Sequence, residues 1–315
     1  MTETNSGPGE VMSGVVVRAH GKWFTVEVPG SETIWLATPK GTLKRGRQRS
    51  DPVVVGDRVQ IVDVGDGEAR IEEVAERRSV LTRPQRGSSI NDQILLANLD
   101  QALFIFAVKH PEPHRRMLDR FLVLAEDRGL TALIGVNKID LDETLPNGEL
   151  VSHSIFGDYA VIYPVFFFSA HSGAGIPPLR AAMQNKTTVL TGPSGVGKSS
   201  ILNALGAERI REVGAISEAT GKGRHTTTSA ELIRLDAETF VADTPGIRSL
   251  AMHGVAPDRL DWCFREMRPY LGRCFYADCK HFSEPGCAVL EALASGLIAQ
   301  ERYESYVALR RGERD

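Results

Sequence analysis

The chain has 315 residues, enough for two or three domains. Hydrophobic residues make up 42% and charged residues 24%, which supports a packed core and excludes global disorder. A net charge of −3 excludes a polycation, so any nucleic-acid contact must come from local patches.

The opening stretch, MTETNSGPGE, is polar and rich in Gly, Pro and Ser, and reads as a flexible tail over residues 1–10. It lacks a basic-then-apolar leader, and no apolar run reaches the roughly 18 residues of a membrane span. The expectation is a cytoplasmic protein without a membrane partner, and a monomer. Residues 11–77 read as β structure. Strand-like runs flank Ala19-His20-Gly21-Lys22, and turns are expected at Gly56-Asp57 and Gly65-Asp66-Gly67. About five short strands suit an oligonucleotide-binding (OB) barrel. The pattern leaves an SH3-like barrel open. The run PKGTLKRGRQRSDP carries Lys40, Lys44, Arg45, Arg47 and Arg49 with no acid before Asp51, and is expected to bind RNA phosphates. Trp23, Phe24 and Trp35 offer rings that stack on bases or fill the core, and core is the default for each. ERRSVLTRPQRG, at the next junction, is a further candidate for RNA contact.

From Leu103 the texture becomes α/β, within a domain expected over residues 78–253. ALFIFAV is an uninterrupted apolar run, as in a strand buried on both faces. A helix is expected over Arg116–Arg128, then the strand TALIGV, a buried strand in AVIYPVFFFSA, a helix over Ile176–Gln184, and the strand TTVL. AELIRL and ETFVAD read as neighbouring strands. Alternation of this kind implies a doubly wound α/β domain, ending near residue 253.

Gly192, Pro193, Ser194, Gly195, Val196, Gly197, Lys198, Ser199 and Ser200 form a phosphate-binding loop, G-x-x-x-x-G-K-S, between a strand and a helix. Glycines let backbone N–H groups close around phosphate oxygens, and the helix that follows points its positive end at them. Lys198 is expected to reach the outer phosphates and Ser199 to ligate Mg²⁺. The loop alone does not name the nucleotide, and GPSGVGKS also resembles the loop of guanylate-type kinases. NKID supplies that identity: Asp140 can accept from guanine N1–H and the 2-amino group together, a donor pair adenine lacks. Asn137 and Lys138 would brace the base. Ser169 and Ala170, in FFFSA, are placed to offer N–H groups to guanine O6. In FVADTPGIRSL, Asp243 can hold a metal-bound water and Gly246 can sense a terminal phosphate. In GKGRHTTT, one of Thr226, Thr227 and Thr228 should close on Mg²⁺ and the γ-phosphate, and Thr227 is preferred. Together these signals predict a GTPase rather than a kinase.

NKID precedes the cradle here, so the Ras-like set is present in rotated order. Domain termini lie at the surface, which lets a chain tolerate such a permutation. The rotation makes DTPGIRSL lead straight into the cysteine-bearing region, and nucleotide-dependent motion is expected to pass there. Ras-type enzymes orient water with a Gln after the DxxG glycine; here that position is Ile247. His225 is the expected replacement, as an imidazole can orient or deprotonate water. Gly195 stands where some permuted GTPases hold potassium with Asn, so no potassium site is expected.

Residues 254–315 read as helical. Cys274, Cys279, His281 and Cys287 form a closed set of three thiolates and an imidazole, suited to one structural zinc ion. Cys263 lies outside this set and is expected to pack. ERYESYVALRRGERD reads as an amphipathic helix that docks on the GTPase domain or touches a partner.

GPSGVGKSS, GRHTTT, DTPGIR and the Cys–His spacing closely resemble the bacterial circularly permuted small ribosomal subunit biogenesis GTPases. The resemblance covers nearly the whole chain: OB barrel, permuted GTPase and C-terminal helical zinc domain. It implies a partner, the small (30S) ribosomal subunit with its 16S rRNA. It supports the role of His225 and all four zinc ligands, and it implies subunit-stimulated turnover of GTP to GDP that releases or resets the factor. A GTP-dependent RNA-binding module in which hydrolysis is only a reset is the second class.

Overall fold

A computed structural model describes residues 9–41, 43, 52–84, 92–206, 230–243 and 255–313. The first unit takes in the N-terminal region with residues 178–190 and 201–250, and the second takes in residues 102–177, 191–200 and 251–315.

In the first unit, β1 (Val11–His20), β2 (Trp23–Glu27), β3 (Ile34–Pro39), β4 (Arg58–Gly65) and β5 (Glu68–Val74) close into a barrel of order β1-β2-β3-β5-β4. β1 pairs with both β2 and β4, which seals the barrel, and β3 runs parallel to β5. This order is the Greek-key OB barrel and excludes the SH3-like alternative. Alternation places Val26, Trp35, Ala37, Ile61 and Ile71 inside. Phe24 and Trp35 are therefore core residues, while Trp23 is half-buried with Lys22 Nζ 5.5 Å from its ring centre.

The loop before β4 is held by buried Asp57. Its carboxylate accepts from Arg77 Nε at 2.7 Å and Nη2 at 2.8 Å, and from the Val54 N–H at 2.8 Å. Gly56 (φ +89°) is required beside it, since a Cβ there would meet the Ala97 carbonyl oxygen at 2.1 Å. The junction stretch contributes β6 (Val80–Pro84), which forms an antiparallel hairpin with β7 (Asp92–Ala97). β11 (Thr187–Thr191), β12 (Glu231–Arg234) and β13 (Phe240–Asp243) follow in the order β11-β13-β12, with β11 parallel and β12 antiparallel to β13.

In the second unit, β8 (Gln101–Ala107), β9 (Thr131–Asn137) and β10 (Val165–Phe167) lie in the order β10-β9-β8. Every residue of β8 is buried, as expected of a strand covered on both faces. Helix α1 (Arg115–Asp127) buries Leu118, Phe121, Leu122 and Ala125. His114 caps it by accepting from the Met117 N–H.

AVIYPVFFFSA departs from the expected single buried strand. Helix α2 (Val151–Ala160) ends there, Val161 is 89% exposed, and only residues 165–167 are strand. Pro164 explains the late start, as it has no N–H for a ladder. Tyr159 and Tyr163 are buried in the helix and the turn that closes it. Helices α3 (Ile176–Met183) and α4 (Lys198–Ala204) each begin among this unit's residues and end among those of the first. Beyond them, α5 (Ala288–Ala294) and α6 (Gln300–Arg310) share a core with Leu260, Phe264, Met267 and, from α1, Val123. Cys263 belongs to this core, as expected of a packing cysteine.

Candidate nucleotide site and metal centre

The phosphate-loop residues connect β11 to α4, in the strand–loop–helix setting that the spacing requires. Three of their glycines have positive φ: Gly192 (+154°), Gly195 (+82°) and Gly197 (+93°). A Cβ on Gly192 would meet the Ile105 carbonyl oxygen at 2.1 Å, and one on Gly197 would meet Asn137 Nδ2 at 2.5 Å. Lys198 Nζ donates to the carbonyls of Gly192 (2.9 Å) and Pro193 (2.6 Å), so its ammonium sits over the loop it belongs to. Ser199 and Ser200 are exposed.

NKID follows directly on β9. Asn137 is buried, and its amide bridges two other loops: Nδ2 donates to the Val196 carbonyl at 2.7 Å, and Oδ1 accepts from the Ala170 N–H at 3.0 Å. One side chain thus ties reader, cradle and Ser-Ala loop together. Lys138 takes a left-handed backbone (φ +66°) and donates through Nζ to the His110 carbonyl. Asp140 sits exposed in a short 3₁₀ turn, Ile139–Leu141, and its carboxylate has no hydrogen-bond or ion-pair partner among the described residues.

The Ser-Ala loop differs in one respect from expectation. Its two N–H groups are engaged within the protein, that of Ser169 with the Ala174 carbonyl (2.9 Å) and that of Ala170 with Asn137. Ser169 Oγ in turn accepts from the N–H groups of His171 and Ser172, which curls the loop.

Asp243 closes β13 at the end of a chain of buried residues, and its side chain lies outside the described set. His225, Thr226, Thr227, Thr228, Gly246 and Ile247 also lie outside the described residues, as do the first eight residues. Of the expected RNA contacts, Lys44, Arg45, Arg47 and Arg49 lie outside them too. Lys40 is described, and its Nζ donates to Glu72 Oε2 at 2.5 Å, a carboxylate that Arg70 also holds.

The second centre is compact. The ligand atoms of Cys274, Cys279, His281 and Cys287 all lie within 4.8 Å of one another. His281 Nδ1 is 3.5 Å from the sulfurs of Cys274 and Cys279 and 3.4 Å from that of Cys287, and the Cys274 and Cys287 sulfurs are 3.9 Å apart. A tetrahedral zinc ion bound at its usual Zn–S and Zn–N lengths implies edges of about 3.6 Å (S–N) and about 3.8 Å (S–S). The set fits such an ion.

Burial pushes the Cys279 thiol up to about 12, so a thiolate at that position needs a cation to face. His281 Nε2 lies 3.6 Å from Asp261 Oδ2, an outer partner that leaves Nδ1 for the metal. Glu284 fixes the loop by accepting from the N–H groups of Lys280, Phe282 and Ser283. Burial pushes its carboxyl up, but these backbone donors outweigh that and bring it down to about 2.

Sequence spacing missed one cluster. Arg302, fully buried on α6, donates to Asp119 Oδ1 on α1 at 2.5 Å and to Glu266 Oε1 at 2.6 Å. Tyr159 and Ser305 donate to the same Asp119. No local pattern marks Arg302, because its partners are distant in sequence. The amphipathic C-terminal segment thus docks on α1 through Arg302 and Ser305.

The RsgA GTPase family model matches residues 74–253. The small ribosomal subunit biogenesis GTPase RsgA of Gemmatimonas aurantiaca is 44% identical over 301 residues, covering 95% of this chain and 96% of that protein. The protein of the same name from Moorella thermoacetica is 38% identical, covering 94% and 95%. The crystal structure of YjeQ from Thermotoga maritima superposes with a TM-score of 0.77 at 33% identity, over 96% of this chain and 98% of that one. YloQ, described as a circularly permuted GTPase, superposes at 0.74 with 28% identity, over 96% and 95%. On this sequence and structural evidence, the chain belongs to the RsgA GTPase family.

Proposed function

We propose that this chain is a cytoplasmic, monomeric GTPase of small ribosomal subunit biogenesis. It binds the 30S subunit through 16S rRNA and is released or reset when the subunit stimulates hydrolysis of GTP to GDP. The observation that carries the reading is the Asn137 bridge, which makes the guanine reader and the phosphate cradle one site.

In this reading Asp140 takes the guanine N1–H and amino group, and its lack of a protein partner among the described residues suits that task. Lys198 exchanges two carbonyls for phosphate oxygens, which are stronger acceptors for an ammonium. Ala170 N–H reaches guanine O6 only if it is shared with, or released from, Asn137. Mg²⁺ would be held by Ser199, Thr227 and Asp243, and it offsets the charge on the phosphates. His225 orients the attacking water in place of the missing Gln. Zinc on Cys274, Cys279, His281 and Cys287 is structural, since four protein ligands leave no open position. The basic run from Lys40 to Arg49 meets RNA phosphates. Residues 11–77, 78–253 and 254–315 act as barrel, GTPase and zinc domains.

The test is hydrolysis by the purified chain alone and with isolated small subunits, with ATP as control. Stimulation specific to GTP and to small subunits is expected. A rate that subunits leave unchanged would overturn the ribosomal part. His225→Ala should abolish the stimulated rate with little change in GTP affinity, and unchanged turnover would clear His225 of the role.

A further inference from the structure

β1 of the barrel is buried on both faces where an isolated barrel would leave one face wet. Val16 points into the barrel core, yet Val15 and Val17 are also buried, at 7% and 3% exposure. β12 lies against β1 on that side. Four charges from three strands frame the contact. Arg18 Nε donates to Glu231 Oε1 at 2.6 Å, and Arg234 Nε stands 2.9 Å from Glu27 Oε2. Glu27 pairs with Val15 across the β1–β2 ladder, which sets the second ion pair beside the apolar contact. A β-bulge between Val16 and Arg18 lets Val16 and Val17 both be buried before Arg18 reaches Glu231. Arg58 on β4 faces Glu238 at 3.9 Å beyond the far end of β12.

β12 begins three residues after Thr228 in the sequence, so it is the first described strand after the threonines that should sense the γ-phosphate. We propose that Arg18, Glu27, Glu231 and Arg234 are positioning residues that hold β12 to the barrel, and that they couple RNA on the barrel to the nucleotide state of the switch. The proposal rests on the GTPase reading above. Such coupling is reciprocal in binding free energy: whatever GTP does to the barrel, a barrel ligand does to GTP affinity.

Reciprocity permits a test without ribosomes. Amide hydrogen exchange is read at residues 15–18 in the full chain, with GDP and with a non-hydrolysable GTP analogue. Exchange is expected to be about threefold or more slower with the analogue. Arg234→Glu, which sets two acids face to face, should abolish that difference. Reversing all four signs together (R18E, E27R, E231R and R234E) keeps every pairing attractive and should restore it.

Equal exchange in both nucleotide states overturns the proposal, as does a difference that survives R234E or fails to return in the fourfold variant. A fluorescent GTP analogue titrated in parallel separates the two readings. If it does not bind, the GTPase reading falls and this one with it; if it binds while exchange stays equal, only the coupling falls.

Discussion

Asn137 and Gly197 depend on each other at the level of single atoms. Asn137 reaches Val196 only because Gly197 has no Cβ, and Gly197 holds a φ that side chains resist. Gly197→Ala should leave the circular dichroism of the chain intact and weaken guanine-nucleotide binding by about a hundredfold or more, as two loops lose their register. Asn137→Ala removes two hydrogen bonds and should weaken binding by about ten- to a hundredfold. Titration of a fluorescent GDP analogue checks both. A change below threefold in either variant would show that the bridge does not organise the site.

Among the secondary-structure elements, α1 and α6 are joined by a fully buried ion pair, that of Arg302 with Asp119. Arg302→Met leaves Asp119 and Glu266 buried without their cation and should cost about 3–5 kcal/mol. In a melt of the full chain this is a drop of about 10 °C. Replacing all three together (R302M, D119L and E266L) should recover much of the loss, because apolar groups of similar size need no desolvation. A melt unchanged by R302M would mean that the network adds little.

The same pair marks where sequence reading stops. β8, β9, α1, the glycine loop and the Cys–His set are visible in sequence because their signals are local: an apolar run, a helical period, a fixed spacing. The barrel's five strands were equally visible. Their closing order was not, because β3 against β5 is a non-local pairing. Trp35 and Phe24 read ambiguously, since a core ring and a stacking ring have the same composition; burial decides them. In AVIYPVFFFSA the apolar content outweighed Pro164. Arg302 looks like one more basic residue of an amphipathic helix, and only the partner on α1 reveals it.

In the molecule as a whole, the metal centre and the thiol inventory make a joint prediction. The purified chain should carry one zinc ion per molecule, and its thiols should resist a thiol reagent at neutral pH. Chelation should release the ion and expose three thiols, those of Cys274, Cys279 and Cys287. Cys263 should stay silent, because burial pushes its thiol up to about 11 and it packs in the C-terminal core. Four reactive thiols after mild chelation would show that the C-terminal core unfolds with the metal, and a fully reactive chain before chelation would exclude the centre.

The distance between Asp119 and Arg302 also has a meaning in time. They are separated by 183 positions along the chain. Synthesis runs from the amino end, and segments fold as they emerge. The barrel can close early, since its five strands are contiguous in sequence. Helix α1, which precedes β9 and NKID, cannot settle then, because the buried carboxylate of Asp119 has no counter-charge until α6 is made. A nascent or prematurely ended chain would therefore present a folded barrel beside an unfinished GTPase fold, a product exposed to proteases. By placing the counter-ion of α1 in its last described helix, the permuted architecture makes a working nucleotide site a property of the finished chain.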